Sequence, residues 1–265
     1  MTAMFCNGLP ATSEDLRALA LRNYGHFTVM QVRGGAAQGL HAHLARLQAA
    51  TRELFGAELE AGRIVAELRH ALAAAGMGDC SVRITVFSRE FDIDDPARAI
   101  GLDVLIALAP PSTAGGAPLR VKSYRHERTL PHIKHAGTLP LFHFRRQARL
   151  AGYDDALFVD AAGRISEGSI WNVGFWDGAR VVWPQAPALH GIMQQLLEAG
   201  LRETGVAQVR REIGLGDLPG FQAAFASYSR GIHPLAAVDG VAFEGGAGLP
   251  ERLARALATQ PWEPV

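Results

Sequence analysis

One stretch of this chain cannot join a packed core. Pro110-Pro111-Ser112-Thr113-Ala114-Gly115-Gly116-Ala117-Pro118 lacks large side chains to bury and is rich in residues that remove backbone donors or loosen the backbone. It is the only low-complexity segment, and it cuts the 265 residues into two pieces of domain size. We therefore expect a first domain over 1–109, a linker over 110–118 and a second domain over 119–265.

Both pieces mix helix and strand signals. After a short helix opened by Thr12 or Ser13, the run His26 to Arg33 is rich in β-branched and aromatic residues and stops at Gly34-Gly35, as a strand before a tight turn does. Leu44, Leu47 and Leu54 recur at helical spacing ahead of Gly56. Ile64, Val65, Leu68 and Leu72 do so ahead of Gly76, and each glycine suits a left-handed helix cap. Strands are expected over Ser81–Ser88 and Gly101–Ala109. Beyond the linker come a strand at Leu119–Tyr124, a loop around Lys134, a helix near Leu141–Ala151 and a strand at Ala156–Asp160. Asp177-Gly178 marks a hairpin between Trp171–Trp176 and Arg180–Trp183. A helix over Gly191–Thr204 precedes strands at Ala207–Arg211 and Ala223–Tyr228. The expectation is an α+β chain of two halves, and such joints commonly carry ligand clefts.

Composition removes several function classes. With 26 basic and 26 acidic residues there is no overall field to gather a polyanion, and the best local patch, Arg145, Arg146 and Arg149, falls at helical spacing as a solvated face. Nucleic acid is not an expected partner. No apolar run reaches a membrane span of about 18 residues, and Met1–Pro10 lacks a signal-peptide pattern, so we read a cytoplasmic chain with no membrane partner. Cys6 and Cys80 are expected to be reduced thiols. The histidines lack zinc-ligand spacings, and the commonest glycine-rich nucleotide motifs are missing, so no metal is expected.

Lysine usage is the most selective signal. Only two of the 26 basic residues are lysines, Lys122 and Lys134. Lysine, unlike arginine, can lose its proton and attack a carbonyl. Lys122 lies on an alternating strand and reads equally well as a surface cation. Lys134 lies in Leu130-Pro131-His132-Ile133-Lys134-His135-Ala136-Gly137-Thr138, which is neither cleanly helical nor stranded, so its amine can project from a loop into a cleft.

Lys134 in its Ile-Lys-His setting, then Ile165-Ser166-Glu167-Gly168-Ser169-Ile170-Trp171-Asn172-Val173, then Leu189-His190-Gly191-Ile192-Met193-Gln194-Gln195 resemble the ordered signature of class IV aminotransferases. These are pyridoxal-phosphate enzymes of fold type IV. Tyr24-Gly25-His26-Phe27-Thr28 and His43-Leu44-Ala45-Arg46-Leu47 are similar to that family too, so the resemblance spans about Phe5 to Gly240. The Lys134-His135 pair and Gly-Ile-Met resemble its aminodeoxychorismate lyase branch most closely.

The resemblance implies two α/β domains of the D-amino acid aminotransferase-like architecture, with the cofactor cleft between them, and a homodimer. It implies pyridoxal 5'-phosphate as cofactor, Lys134 as the Schiff-base lysine and proton carrier, and Glu167 as the carboxylate beside the ring nitrogen. A general base needs a neutral amine near pH 7. Arg46, Gly191, Ile192, Met193, Ser227 and Ser229 are implied phosphate ligands, a helix start being a natural anion site, and Asn172 is implied to brace the loop around Glu167. Tyr24, Thr28, Arg125 and Arg128 are candidate substrate contacts, the two arginines as forks for a carboxylate. His26, Met30 and Gln31 are further candidates for the pocket wall.

Many family aminotransferases carry a tyrosine shortly after the lysine, where this chain has Leu139. The lyase branch lacks that tyrosine as well. The leading expectation is amino transfer from a small amino acid or amine to a 2-oxo acid. The alternatives are a lyase releasing pyruvate and 4-aminobenzoate, and a non-catalytic cofactor-binding scaffold.

Overall fold

The computed structural model describes residues 3–265. The chain divides into two compact units: Met1–Ser112 with Ile133–Gly137 and Trp262–Val265, and Thr113–His132 with Thr138–Pro261. The division falls inside the expected linker, whose residues are tethered on either side of it. Ser112 N–H donates to Gln31 Oε1 in the first unit, and Ala114 N–H donates to Arg230 O in the second. Backbone bonds within each unit thus hold a segment that composition alone reads as loose.

The first unit begins with β1 (Ala3–Cys6), β2 (Leu9–Pro10), α1 (Ser13–Arg22), β3 (Gly25–Arg33) and β4 (Ala36–Gln38). Helices α2 (Leu40–Phe55) and α3 (Ala61–Ala75) follow, then β5 (Cys80–Phe87) and β6 (Asp103–Ala109). Thr12 caps α1 through a capping box with Asp15, while Gly56 and Gly76 close α2 and α3 at φ 60° and 62°. The strands pair antiparallel throughout, in the order β4-β3-β5-β6-β1-β2. Alternation along β3 decides its two faces. Met30 and Val32 pack with Leu47, Ile64, Leu68, Val82, Ile84 and Ile106 in the core under α2 and α3. On the opposite face, Cys6, Phe87 and Leu105 pack under α1. Cys6 and Cys80 are buried free thiols.

The second unit contains β7 (Leu119–Arg125), α4 (Leu139–Leu150), β8 (Asp155–Val159), β9 (Ile165–Gly168), β10 (Asn172–Trp176) and β11 (Val181–Pro184). It continues with α5 (Ile192–Glu203), β12 (Gln208–Arg211), β13 (Ala223–Tyr228), β14 (Gly231–Val238), β15 (Val241–Ala242) and α6 (Leu249–Ala258). Among the described residues the strand order is β12-β11-β10-β13-β14-β7-β8-β9, with β15 on β14. Strands β10 and β11 pair as the hairpin signal expects, Phe175 lying opposite Val182, but through the four residues 177–180 and with β11 starting at Val181. Helix α4 covers β8 through Leu141, Ala148 and Phe158. Helices α5 and α6 approach so closely at Gly200 that a Cβ there would sit 1.9 Å from Ala256 O. Arg145 and Arg149 of α4 pair with Asp155 and Asp154.

Two segments return to the first unit. Strand β16 (Trp262–Pro264) extends its sheet antiparallel to β4. Ile133–Gly137, expected within 119–265, lies against the start of β3: Phe27 N–H donates to Lys134 O at 2.9 Å and Ala136 N–H to Gly25 O at 2.8 Å. Beta pairing with a strand more than a hundred residues upstream explains why the segment shows no local period of its own. No helix among the described residues is long and apolar enough to cross a membrane.

Candidate functional site

In the first unit the backbone ladder to β3 holds Lys134, and its Nζ lies 5.0 Å from the centre of the Phe27 ring. Arg83 stacks its guanidinium on the same ring, 3.6 Å from the centre, and is tethered by Nε to Thr85 Oγ1 at 3.2 Å. A ring faced by two cations is a favourable electrostatic arrangement, because the π face is negative. Arg83 is a cation that sequence reasoning passed over. Its signal was present in the alternation of β5, where Ser81, Arg83 and Thr85 face away from the core.

Beneath Lys134 a buried polar chain runs through Thr28, His43 and Arg46. Arg46 Nη2 donates to Thr28 Oγ1, and Thr28 Oγ1 lies 2.6 Å from His43 Nδ1. Burial, with Arg46 and Lys134 nearby, holds His43 well below the ordinary histidine value. His26, bonded through Nε2 to Thr51 Oγ1 at 2.9 Å, is lowered to about 4 by burial and by Arg46. Both rings are therefore neutral at pH 7 and work as hydrogen-bonding groups. Arg46 is lowered to about 10 by desolvation, and its Nε is buried without a hydrogen-bond partner. A desolvated guanidinium with an unused donor is a ready ligand for an anion.

In the second unit, Glu167 on β9 is buried, with Arg128 Nε donating to its Oε1 at 2.8 Å. Gly168 follows because nothing larger fits: a Cβ there would lie 1.9 Å from the Trp171 indole. Asn172, at the start of β10, donates through Nδ2 to Leu189 O at 2.6 Å and accepts from Gly191 N–H at 3.1 Å. It therefore braces the turn into α5, not the loop around Glu167. Gly191 is the helix N-cap, with no side-chain cap, and a Cβ on it would meet Asn172 Oδ1 at 2.2 Å. The opening N–H groups of α5 thus have no side chain folded over them. Strand register places Ser227 opposite Asn172, and the Ser227 hydroxyl is buried with no hydrogen-bond partner. An orphaned buried hydroxyl beside an uncapped helix start fits a phosphate, whose oxygens would satisfy both.

The family model for amino-transferase class IV matches residues 25–238. The chain belongs to that family. Its members are pyridoxal-phosphate enzymes, aminotransferases or lyases, and the fold is that of fold type IV. The branched-chain amino acid aminotransferase of Escherichia coli is similar with a TM-score of 0.85 at 19% identity, over 97% of this chain and 93% of that one. A protein from Legionella pneumophila assigned as a 4-amino-4-deoxychorismate lyase has a TM-score of 0.81 at 18% identity, over 91% and 92%. A hypothetical aminotransferase from Mycobacterium tuberculosis, in a PLP-bound form, has a TM-score of 0.81 at 19% identity, over 98% and 99%. Among curated proteins no sequence matches significantly.

The other residues that the class IV resemblance singles out fall in varied places. Ile192 is buried and Met193 packs against the core under α5 and α6, so their backbone, not their side chains, faces any ligand at the helix start. Ser229 sits in the turn between β13 and β14. Tyr24 donates its hydroxyl to Leu54 O and stacks on Phe91 with ring centres 4.3 Å apart. Thr28 is fully buried, its hydroxyl engaged by Arg46 and His43. Met30 is core, and Gln31 Oε1 accepts from Arg33, Ser81 and Ser112. Arg125 is exposed and donates to Ala161 O, whereas Arg128 is buried on Glu167. Lys122 faces the Tyr153 ring at 5.2 Å, a surface contact that accounts for it. No group of His, Cys, Asp and Glu among the described residues could hold a metal ion.

Proposed function

We propose that this class IV enzyme binds pyridoxal 5'-phosphate and transfers an amino group from a small amino acid or amine to a 2-oxo acid. The observation that carries the reading is the pairing of the orphaned Ser227 hydroxyl with the uncapped start of α5, which together lack only an anion. In this reading Ser227, Ser229, Arg46 and the backbone of Gly191, Ile192 and Met193 hold the phosphate. Asn172 keeps the turn before α5 in shape, and Glu167 holds a proton on the ring nitrogen. When bound, the cofactor supplies an aldehyde carbon for the amino group and a ring that withdraws electrons from the donor's α-carbon. Lys134 would be the amine that holds the cofactor, and as a neutral base it would move the proton at the donor α-carbon. Arg83, which contacts the same Phe27 ring as Lys134, offers a fork to a donor or acceptor carboxylate. The reading includes a homodimer, as the family resemblance implies, and a cytoplasmic location.

Wild-type protein given cofactor turns yellow and loses the colour on borohydride reduction, while Lys134→Ala does neither. A colourless wild type at saturating cofactor refutes the proposal. A second reading, release of pyruvate and 4-aminobenzoate from aminodeoxychorismate, is supported by Leu139, which is 80% exposed on the first turn of α4 where many aminotransferases carry a tyrosine. Appearance of 4-aminobenzoate with that substrate, without turnover of any amino donor, selects it. Bound cofactor with neither activity returns the chain to a scaffold.

A further inference from the structure

The buried pair in the second unit is the least expected feature of the site. Arg128 was a candidate fork for a substrate carboxylate, yet its Nε donates to Glu167 Oε1 at 2.8 Å, and each side chain is only 4% exposed. An ion pair so deeply removed from water is costly to break, because each buried charge loses compensation when its partner goes. The two residues come from different places in the chain: Arg128 from the loop after β7 and Glu167 from β9, 39 positions on. Arg128 is also only six residues before Lys134, on a loop where Leu130 takes a left-handed φ of 49°. A bulky residue adopts that conformation only when its surroundings over-determine it. The loop is thus fixed at a site where the position of Glu167 matters.

We propose that Arg128 is a positioning residue for Glu167. It aims the carboxylate and thereby sets how firmly Glu167 holds a proton on the cofactor's ring nitrogen; it does not bind substrate. This rests on the proposed function, since Glu167 has that task only if the cofactor is pyridoxal phosphate.

A double-mutant cycle of Arg128→Met and Glu167→Gln, with Arg128→Lys as the conservative variant, tests it. In the cofactor-free protein Arg128→Met lowers the melting temperature by about 10 °C, because the buried carboxylate loses its guanidinium partner. The double variant regains part of that loss, and Arg128→Lys most of it. In the loaded enzyme Arg128→Met slows the half-reaction with an amino donor by at least about tenfold while the donor KM stays within about twofold. In the Glu167→Gln background it causes no further slowing. Losses that add, or a donor KM that rises while kcat holds, overturn the proposal and return Arg128 to the substrate. If all variants including wild type fail to take up the cofactor, the functional reading itself has failed. In that event the melting temperatures still show whether the two residues act as a pair.

Discussion

Acid should loosen the first unit well before its carboxylates titrate. His26 is neutral in the folded chain to about pH 4, against an ordinary value of 6.5. The unfolded chain therefore binds the proton that the folded chain refuses, and stability falls as the pH drops through 6.5 toward 4. At pH 5.5 the unfolded-state protonation of one such ring amounts to about 1.4 kcal/mol, rising to about 3 kcal/mol near pH 4. That loss should lower the melting temperature by roughly 3–6 °C between pH 7.5 and pH 5.5 at this chain length. His43, shifted in the same direction, adds to it. The assay is thermal unfolding of the cofactor-free protein across that range, beside His26→Gln, which can still bond Thr51 but cannot titrate there. The variant should lose the His26 share of the slope and keep that of His43. A flat wild-type profile, or a variant as steep as wild type, refutes the argument that these rings are buried neutral.

Two further perturbations separate cofactor binding from folding. Ser227→Ala removes an orphaned buried hydroxyl, so the cofactor-free melting temperature should hold or rise, while the dissociation constant of the cofactor, from fluorescence titration, weakens about 10- to 100-fold. Gly191→Ala should weaken it at least about tenfold and destabilise the fold by about 1–3 kcal/mol. Its backbone, at φ −64°, tolerates alanine, but the new Cβ lies 2.2 Å from Asn172 Oδ1.

Much of this architecture was legible because local signals agreed with tertiary ones. Helices α2 and α3 end at the glycines that mark them, the Asp177-Gly178 hairpin forms, and β13 spans Ala223–Tyr228 as expected. Strands β4 and β16 were not legible. Ala36–Gln38 and Trp262–Pro264 are three residues each and have no alternation; the first is a strand because it pairs with β3 and β16, the second because it pairs with β4. Strand β14 is masked by Pro234, which ordinarily argues against a central strand. Helix α6 went unread, although Leu249, Leu253 and Ala256 carry its period and Pro250 marks its first turn. At the site, the ordered motifs name Lys134, Glu167 and Gly191 but say nothing of which groups each one touches. Arg128 looks like any loop cation until Glu167 is brought to it. Met30 and Gln31, adjacent in sequence, fall on opposite faces of β3, one into the core and the other into bonds with Ser81 and Ser112.

The route of the chain also limits how this protein can be dissected or recombined. A cut between Ser112 and Thr113 would look like a clean border, yet the amino-terminal fragment would leave Lys134 behind, since Ile133–Gly137 is supplied from beyond it. The carboxy-terminal fragment would carry that lysine with no β3 to hold its backbone. Neither half can therefore be swapped as a cassette between homologues without either losing the lysine or grafting it onto a foreign strand, and chimeras should cross over outside Gly25–Gly137.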